Sequence, residues 1–208
     1  MSARLILARH GNTFKAEDEP VWVGARTDLP LVEKGLAQAQ LLADAMQNTH
    51  TRPDTIITGP LKRTRETATI IAATLGLKLD QIRIDHRLTE IDYGAWEGKS
   101  SSAILAGGDG AELAAWNKDS VFPTNPGWFP TEAQLIADTG HMLEEVGDGL
   151  TLIVSSNGIL RFFARAAINA QAFPDRKVLT GYICVMDRDP NGVWHIVEWN
   201  MRPDLFFQ

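Results

Sequence analysis

Three short stretches of this sequence combine chemically competent side chains with a glycine or proline that lets the backbone turn. They are Arg9-His10-Gly11, Gly59-Pro60-Leu61-Lys62-Arg63 and Ser155-Ser156-Asn157-Gly158. Two arginines and a histidine suit a phosphoryl group. Each guanidinium is planar, permanently charged and able to engage two oxygens at once, while a neutral imidazole is a competent nucleophile near pH 7. Phosphoryl transfer spreads negative charge over three equatorial oxygens, so its catalysis is mostly positioning and charge stabilisation. Taken singly, a histidine after a strand ordinarily caps a turn and an arginine in a first helical turn ordinarily faces solvent. Only their convergence makes a site.

Each stretch follows an apolar run that reads as a strand. Leu5 to Ala8 predicts a buried strand ending at Arg9, followed by a loop to about Val32. From Glu33, Leu36, Ala39, Ala43 and Met46 recur at helical spacing, so an amphipathic helix runs to about Gln47. Thr55 to Thr58 is a second strand. Pro60 suits a helix start, and Leu61, Ala68, Ile71 and Leu75 mark a helix with Arg63 in its first turn. Ile82 to Ile84 predicts a third strand, and Leu88 to Gly98 is irregular. Residues 103–130, rich in Gly, Pro and Trp, predict a cap-like excursion with a short helix. Helix resumes around Thr131 to Val146, and Leu150 to Val154 is a further strand ahead of Ser155 and a helix through Ala167. Two last strands, Gly181 to Met186 and Val193 to Trp199, flank a turn at Pro190-Asn191-Gly192. This alternation predicts an α/β fold, a three-layer α/β/α sandwich around a mostly parallel mixed sheet. Ligands in such sheets bind beyond the carboxyl ends of the strands, where all three stretches lie.

At 208 residues and 44% hydrophobic content the chain suits a single domain over 1–208, the excursion included. A formal net charge of −6 sets up no general attraction to nucleic acid or anionic membrane, so a phosphate site must be local. The lone Cys184 can form no internal disulfide and supplies no thiolate set for zinc, which fits a reducing cytoplasm. Arg9 interrupts the first apolar run too early for a signal peptide, and no segment approaches the roughly 18 apolar residues of a membrane span. His50, His86, His141 and His195 lack metal-ligand spacing and read as surface or structural residues, so neither metal nor cofactor is expected.

Four ordered blocks resemble the histidine phosphatase superfamily, the phosphoglycerate-mutase-like proteins. They are Arg9-His10-Gly11-Asn12-Thr13; Gly24 with Asp28-Leu29-Pro30-Leu31, Gly35 and Gln38-Ala39; Gly59 to Thr67; and Leu88 to Gly98. The resemblance implies a phosphoglycerate-mutase-like sandwich and a phosphohistidine at His10. It also implies catalytic roles for Arg9, Arg63 and Glu90, with Glu90 protonating the leaving alkoxide. For that role Glu90 needs burial or neighbouring carboxylates such as Asp92.

Two positions depart from the family pattern. Where the family carries a second histidine after the last core strand, this chain has Ser156, and Ala16 replaces a frequent asparagine. Losing one preorganised donor to a developing oxyanion costs about 10² to 10³ in rate. Ser156 and Asn157, with Asn12 and Thr13, are the candidates to supply replacement donors alongside Arg9 and Arg63 as substrate-binding groups. The expected function is therefore a phosphomonoesterase of reduced activity, acting on a small phosphorylated substrate. The alternative is a phospho-ligand-binding or regulatory protein with little turnover; a mutase fits least well. Trp116, Phe122, Trp128 and Phe129, with only Lys118 as a cation, read either as an apolar wall over the site or as a satellite core.

Overall fold

The computed structural model describes residues 3–124 and 127–208; Met1, Ser2 and, within the excursion, Asn125 and Pro126 lie outside the described residues. Six strands form one sheet in the order β3-β2-β4-β1-β5-β6. They are β1 (Ala3–Arg9), β2 (Thr55–Thr58), β3 (Ile82–Ile84), β4 (Gly149–Ser155), β5 (Ile183–Arg188) and β6 (Trp194–Met201). The β1–β4, β4–β2 and β2–β3 pairs are parallel, while β1–β5 and β5–β6 are antiparallel.

β1 reads as a continuous apolar run because it is covered on both faces. Leu5 and Leu7 enter one core and Ile6 and Ala8 the other, as the two-residue period of a strand requires. The second core is closed by helices α1 (Glu33–Asn48) and α2 (Lys62–Thr74) through Leu42, Met46, Ala68 and Ile71. The first is closed by α5 (Glu132–Glu145) and α6 (Asn157–Arg165) through Leu135, Met142, Ile159 and Phe163. The expected α/β/α sandwich is thus observed. Truncating one of these fully buried aliphatic side chains to alanine costs about 2–5 kcal/mol.

Local differences from expectation have identifiable causes. α2 begins at Lys62, beyond Pro60, because its first turn is capped from elsewhere: the Lys62 N–H donates to Asp28 Oδ1 at 2.7 Å. The excursion holds two helices, α3 (Ser101–Ala106) and α4 (Gly110–Asp119). They are separated at Gly108, whose φ of +98° favours glycine. A short terminal helix, α7 (Pro203–Phe206), starts on a proline at its first position and was not anticipated. Among the described residues no helix is long and apolar enough to cross a membrane.

What this frame does for the site is visible in the register. Arg9 of β1 pairs with Ser155 of β4, and Thr58 of β2 pairs with Val154, so three strands stop at one level of the sheet.

Candidate active site

His10 is the first residue past β1, and its backbone N–H still donates to Ser155 O of the neighbouring strand at 3.0 Å. Its side chain is only 5% exposed. Nδ1 lies 2.7 Å from Gly11 O, and since a carbonyl only accepts, Nδ1 carries the proton and Nε2 keeps a free lone pair. Burial, reinforced by the charges of Arg9 and Arg63, pushes the imidazole well below its ordinary pKa, so it is neutral at pH 7. The turn is held close: a Cβ on Gly11 would meet the backbone of Gly35 in the first turn of α1. Gly11 N–H is satisfied by Thr67 Oγ1 of α2 at 3.2 Å.

Both expected arginines are present beside the imidazole. Arg63 is 1% exposed, and its two terminal nitrogens donate to Thr27 O at 2.8 Å and Gly24 O at 3.3 Å. The loop carrying those carbonyls is itself fixed, because Thr27 Oγ1 donates to Glu97 Oε1 at 2.8 Å. Arg9 donates from Nη1 to Val178 O at 2.6 Å, while its buried Nε has no partner among the described residues. Burial lowers both guanidinium pKa values and Glu90 opposes the fall. Neither arginine pairs with a carboxylate in an ion pair among the described residues, so both retain charge for an anion.

Glu90 is 5% exposed and sits at the N-terminus of α6, where Gly158 N–H donates to Oε2 at 3.2 Å and Ile91 N–H to Oε1 at 3.0 Å. Glycine at 158 is required for that approach: a Cβ there would strike Glu90 Oε1 and come within 2.7 Å of the Tyr93 hydroxyl. Asp92, the expected carboxylate neighbour, is engaged elsewhere. Its Oδ1 accepts from Gly94 N at 2.8 Å and pairs with Arg26 Nε at 3.0 Å. The group against Glu90 is instead the buried Tyr93 phenol. Burial and the adjacent Glu90 charge push it well above its usual range, so it remains a hydroxyl and hydrogen bonds to that carboxylate.

Arg9, His10, Asn12, Thr13, Arg63, Glu90 and Asn157 all line one open cleft of about 1440 Å³. A neutral nucleophilic nitrogen, two guanidiniums and a carboxyl group sharing a cleft can hold a phosphoryl group and move a proton.

The sequence matches the model of the histidine phosphatase superfamily, branch 1, over residues 5–202. This chain belongs to that superfamily. It is 29% identical over 125 residues to a 2,3-bisphosphoglycerate-dependent phosphoglycerate mutase of Bifidobacterium longum, 59% of this chain and 49% of that protein. It is 32% identical over 128 residues to a glucosyl-3-phosphoglycerate phosphatase of Mycobacterium tuberculosis, 60% of this chain and 52% of that one. The matches thus span about half the length of these relatives. A solved mycobacterial glucosyl-3-phosphoglycerate phosphatase, complexed with VO3, superposes with a TM-score of 0.76 at 22% identity, covering 95% of this chain and 98% of that chain. At that identity the likeness is one of fold.

The departures from the superfamily pattern resolve unequally. Asn157 lines the cleft; its Oδ1 accepts from Val178 N at 2.9 Å, which holds the amide in place. Ser156 does not line it. The side chain is 0% exposed and its hydroxyl has no hydrogen-bond partner among the described residues, so the expected substitute donor faces protein. Asn12 reaches the cleft, with one of its two side-chain N–H groups donating to Phe14 O at 2.7 Å. Ala16 does line the cleft and offers no donor there.

The aromatic residues divide as well. Trp116 and Trp128 are buried in the main core and meet edge to face at 4.8 Å, and Trp22, Tyr93 and Trp96 join them within 4.8–6.0 Å of Trp128. Phe129 is 68% exposed and is no part of a wall. Of this group Trp22, Tyr93 and Trp116 also reach the cleft. Sequence reading gave no role to Arg161, a buried guanidinium on the same cleft. Its burial, though not its partner, was a findable signal, since arginine among Ile159, Leu160, Phe162 and Phe163 leaves no solvated side for its charge.

Proposed function

We propose that this protein is a phosphomonoesterase acting on a small phosphorylated metabolite through a phosphohistidine at His10. The carrying observation is a neutral, tautomer-fixed imidazole in one cleft with Arg9, Arg63 and Glu90. In this reading Arg9 and Arg63 hold the phosphoryl oxygens while His10 Nε2 forms a bond to phosphorus. The ester P–O bond breaks, and Glu90 in its acid form gives its proton to the departing alkoxide. Glu90, now a carboxylate, takes a proton from water, whose oxygen attacks phosphorus. The N–P bond breaks, phosphate leaves, and both residues return to their starting forms. Tyr93 and the α6 N-terminus hold Glu90 in place throughout.

The relative named as a glucosyl-3-phosphoglycerate phosphatase supports hydrolysis as the net reaction. The loss of the second superfamily histidine to a buried Ser156 supports attenuated turnover and keeps a ligand-binding role as the second reading. Incubation with radiolabelled phosphomonoesters followed by acid and alkali treatment separates the two. Acid-labile, alkali-stable label on His10 with release of phosphate is expected. Absence of both with every ester leaves only the binding role.

A further inference from the structure

The plane of the Arg63 guanidinium is set by two backbone carbonyls, Gly24 O and Thr27 O. Both belong to one short loop that is neither helix nor strand. A loop relaxes more readily than a regular element does, so the clamp is only as firm as whatever fixes residues 24–27.

Glu97 supplies that fixture. Its side chain is 4% exposed, and a carboxylate so buried is costly unless it finds partners. The partners it finds among the described residues are two successive members of the loop. Thr27 Oγ1 donates to Oε1 at 2.8 Å, and Arg26 Nε lies 3.3 Å from Oε2. The Arg26 side chain is 58% exposed, so that ion pair contributes little and the Thr27 hydroxyl carries the attachment. The other end of the loop presses on the same segment. Ala25 N–H donates to Ile91 O at 3.1 Å, and a Cβ on Gly24 would meet Ile91 O and come within 2.6 Å of Glu97 Oε2. The stretch from 90 to 97 therefore holds the acid Glu90 at one end and the anchor of the arginine loop at the other. Unlike Arg63 and Glu90, neither Glu97 nor Thr27 lines the cleft.

We infer that Glu97 is a positioning residue for the phosphoryl clamp: through the Thr27 hydroxyl it fixes the carbonyls that orient Arg63, without touching the substrate. This deepens the phosphomonoesterase reading and rests on it for the task of Arg63. The two carbonyls leave each terminal nitrogen of Arg63 a second N–H for a phosphoryl oxygen, and the fork serves only in the right plane. Misplacing such a group by about 1 Å costs on the order of 10² in rate.

The test reads kcat on p-nitrophenyl phosphate and calorimetric binding of inorganic phosphate in two pairs of variants and in their Arg63→Met counterparts. Glu97→Ala should lower kcat by about 10- to 100-fold and weaken phosphate binding, while Glu97→Gln, which keeps an acceptor for Thr27 Oγ1, should lose less. Thr27→Val keeps the carbonyl to Arg63 and the buried carboxylate with Arg26, so it carries the test if Glu97→Ala does not fold. It should lower kcat by about 10-fold, and Thr27→Ser, which restores the hydroxyl, should recover most of that loss. In Arg63→Met neither Thr27→Val nor Glu97→Ala should change either quantity by more than about twofold, because the group they serve is gone. Wild-type kcat and phosphate affinity in Thr27→Val overturn the inference, as does a loss that Thr27→Ser fails to restore or that persists in full in Arg63→Met. Phosphate binding that follows this pattern in a protein that hydrolyses no ester sinks the esterase reading alone. Hydrolysis without the pattern sinks the positioning role alone.

Discussion

Two turns lie side by side at the carboxyl edge of the sheet, one after β1 and one after β4, joined by the Arg9–Ser155 pairing. The first carries Arg9-His10-Gly11 and the second Ser155-Ser156-Asn157-Gly158. In the first the imidazole is oriented by a backbone carbonyl and opens on the cleft with its lone pair free. In the second the corresponding serine is wholly buried and its hydroxyl idle, while Asn157 lines the cleft and accepts from Val178 N–H, and the Gly158 N–H donates to Glu90. Equivalent places in a parallel sheet supply equivalent backbone. Whether they supply chemistry depends on the side chain and on what packs over it.

If the first turn carries the reaction, His10→Ala should abolish labelling and lower turnover by about 10⁴-fold or more, the scale of losing a covalent nucleophile. Residual hydrolysis within tenfold of wild type would remove the distinction between the turns. Arg63→Met should follow with a loss of about 10² to 10³ in kcat, read against an unchanged far-ultraviolet circular dichroism spectrum. Arg63→Lys keeps the charge but not the fork to Thr27 O and Gly24 O, and should fall between. Equal turnover in all three proteins would take Arg63 out of the reaction.

The protonation of His10 gives a subtler separation. Its folded pKa lies well below 6.5, the first cause being burial and the next Arg9 and Arg63. The rate of His10 labelling should therefore not fall as pH drops through 6.5 and should decline only at more acid values. In Arg63→Met, with one depressing charge removed, that decline moves up towards 6.5. Folding stability follows the same proton. The unfolded imidazole binds it near 6.5 and the folded one does not, so stability is lost as pH drops below that value. A decline in wild-type labelling on the acid side that already sets in at or above 6.5 would contradict the buried, doubly flanked imidazole.

The first turn was legible from sequence because strand, turn and following helix each left a local signal: an apolar run, a glycine, and a helical period placing Arg63 in a first turn. The mostly parallel, mixed pairing of the sheet agrees with that reading for the same reason. Distance in sequence hid the rest. Nothing near Asp92 announces that it pairs with Arg26 and leaves Tyr93 to face Glu90. Nor does anything near Arg161 announce that α4, more than forty residues earlier, supplies the carbonyl that holds it. The excursion aromatics were visible as residue types, but their division into core and cleft wall depends on how α3 and α4 fold back.

The smallest effect belongs to the second turn. Sequence reasoning gave the Ser156 hydroxyl a share of the lost histidine's work, but a hydroxyl that is 0% exposed and unpartnered cannot touch a ligand in the cleft. Burying such a group unpaired costs about 1–3 kcal/mol. Ser156→Ala removes the cost along with the oxygen and leaves the shape almost unaltered. Stability should hold or rise by up to about 1 kcal/mol, which at this chain length is about 2–4 °C in Tm by calorimetry. Turnover should stay within about twofold, since neither the Gly158 N–H that binds Glu90 nor the Asn157 amide depends on that hydroxyl. A tenfold fall in kcat with Tm unchanged would mean that the side chain turns towards the phosphoryl group during reaction. The two turns would then share the chemistry that the static structure gives to one.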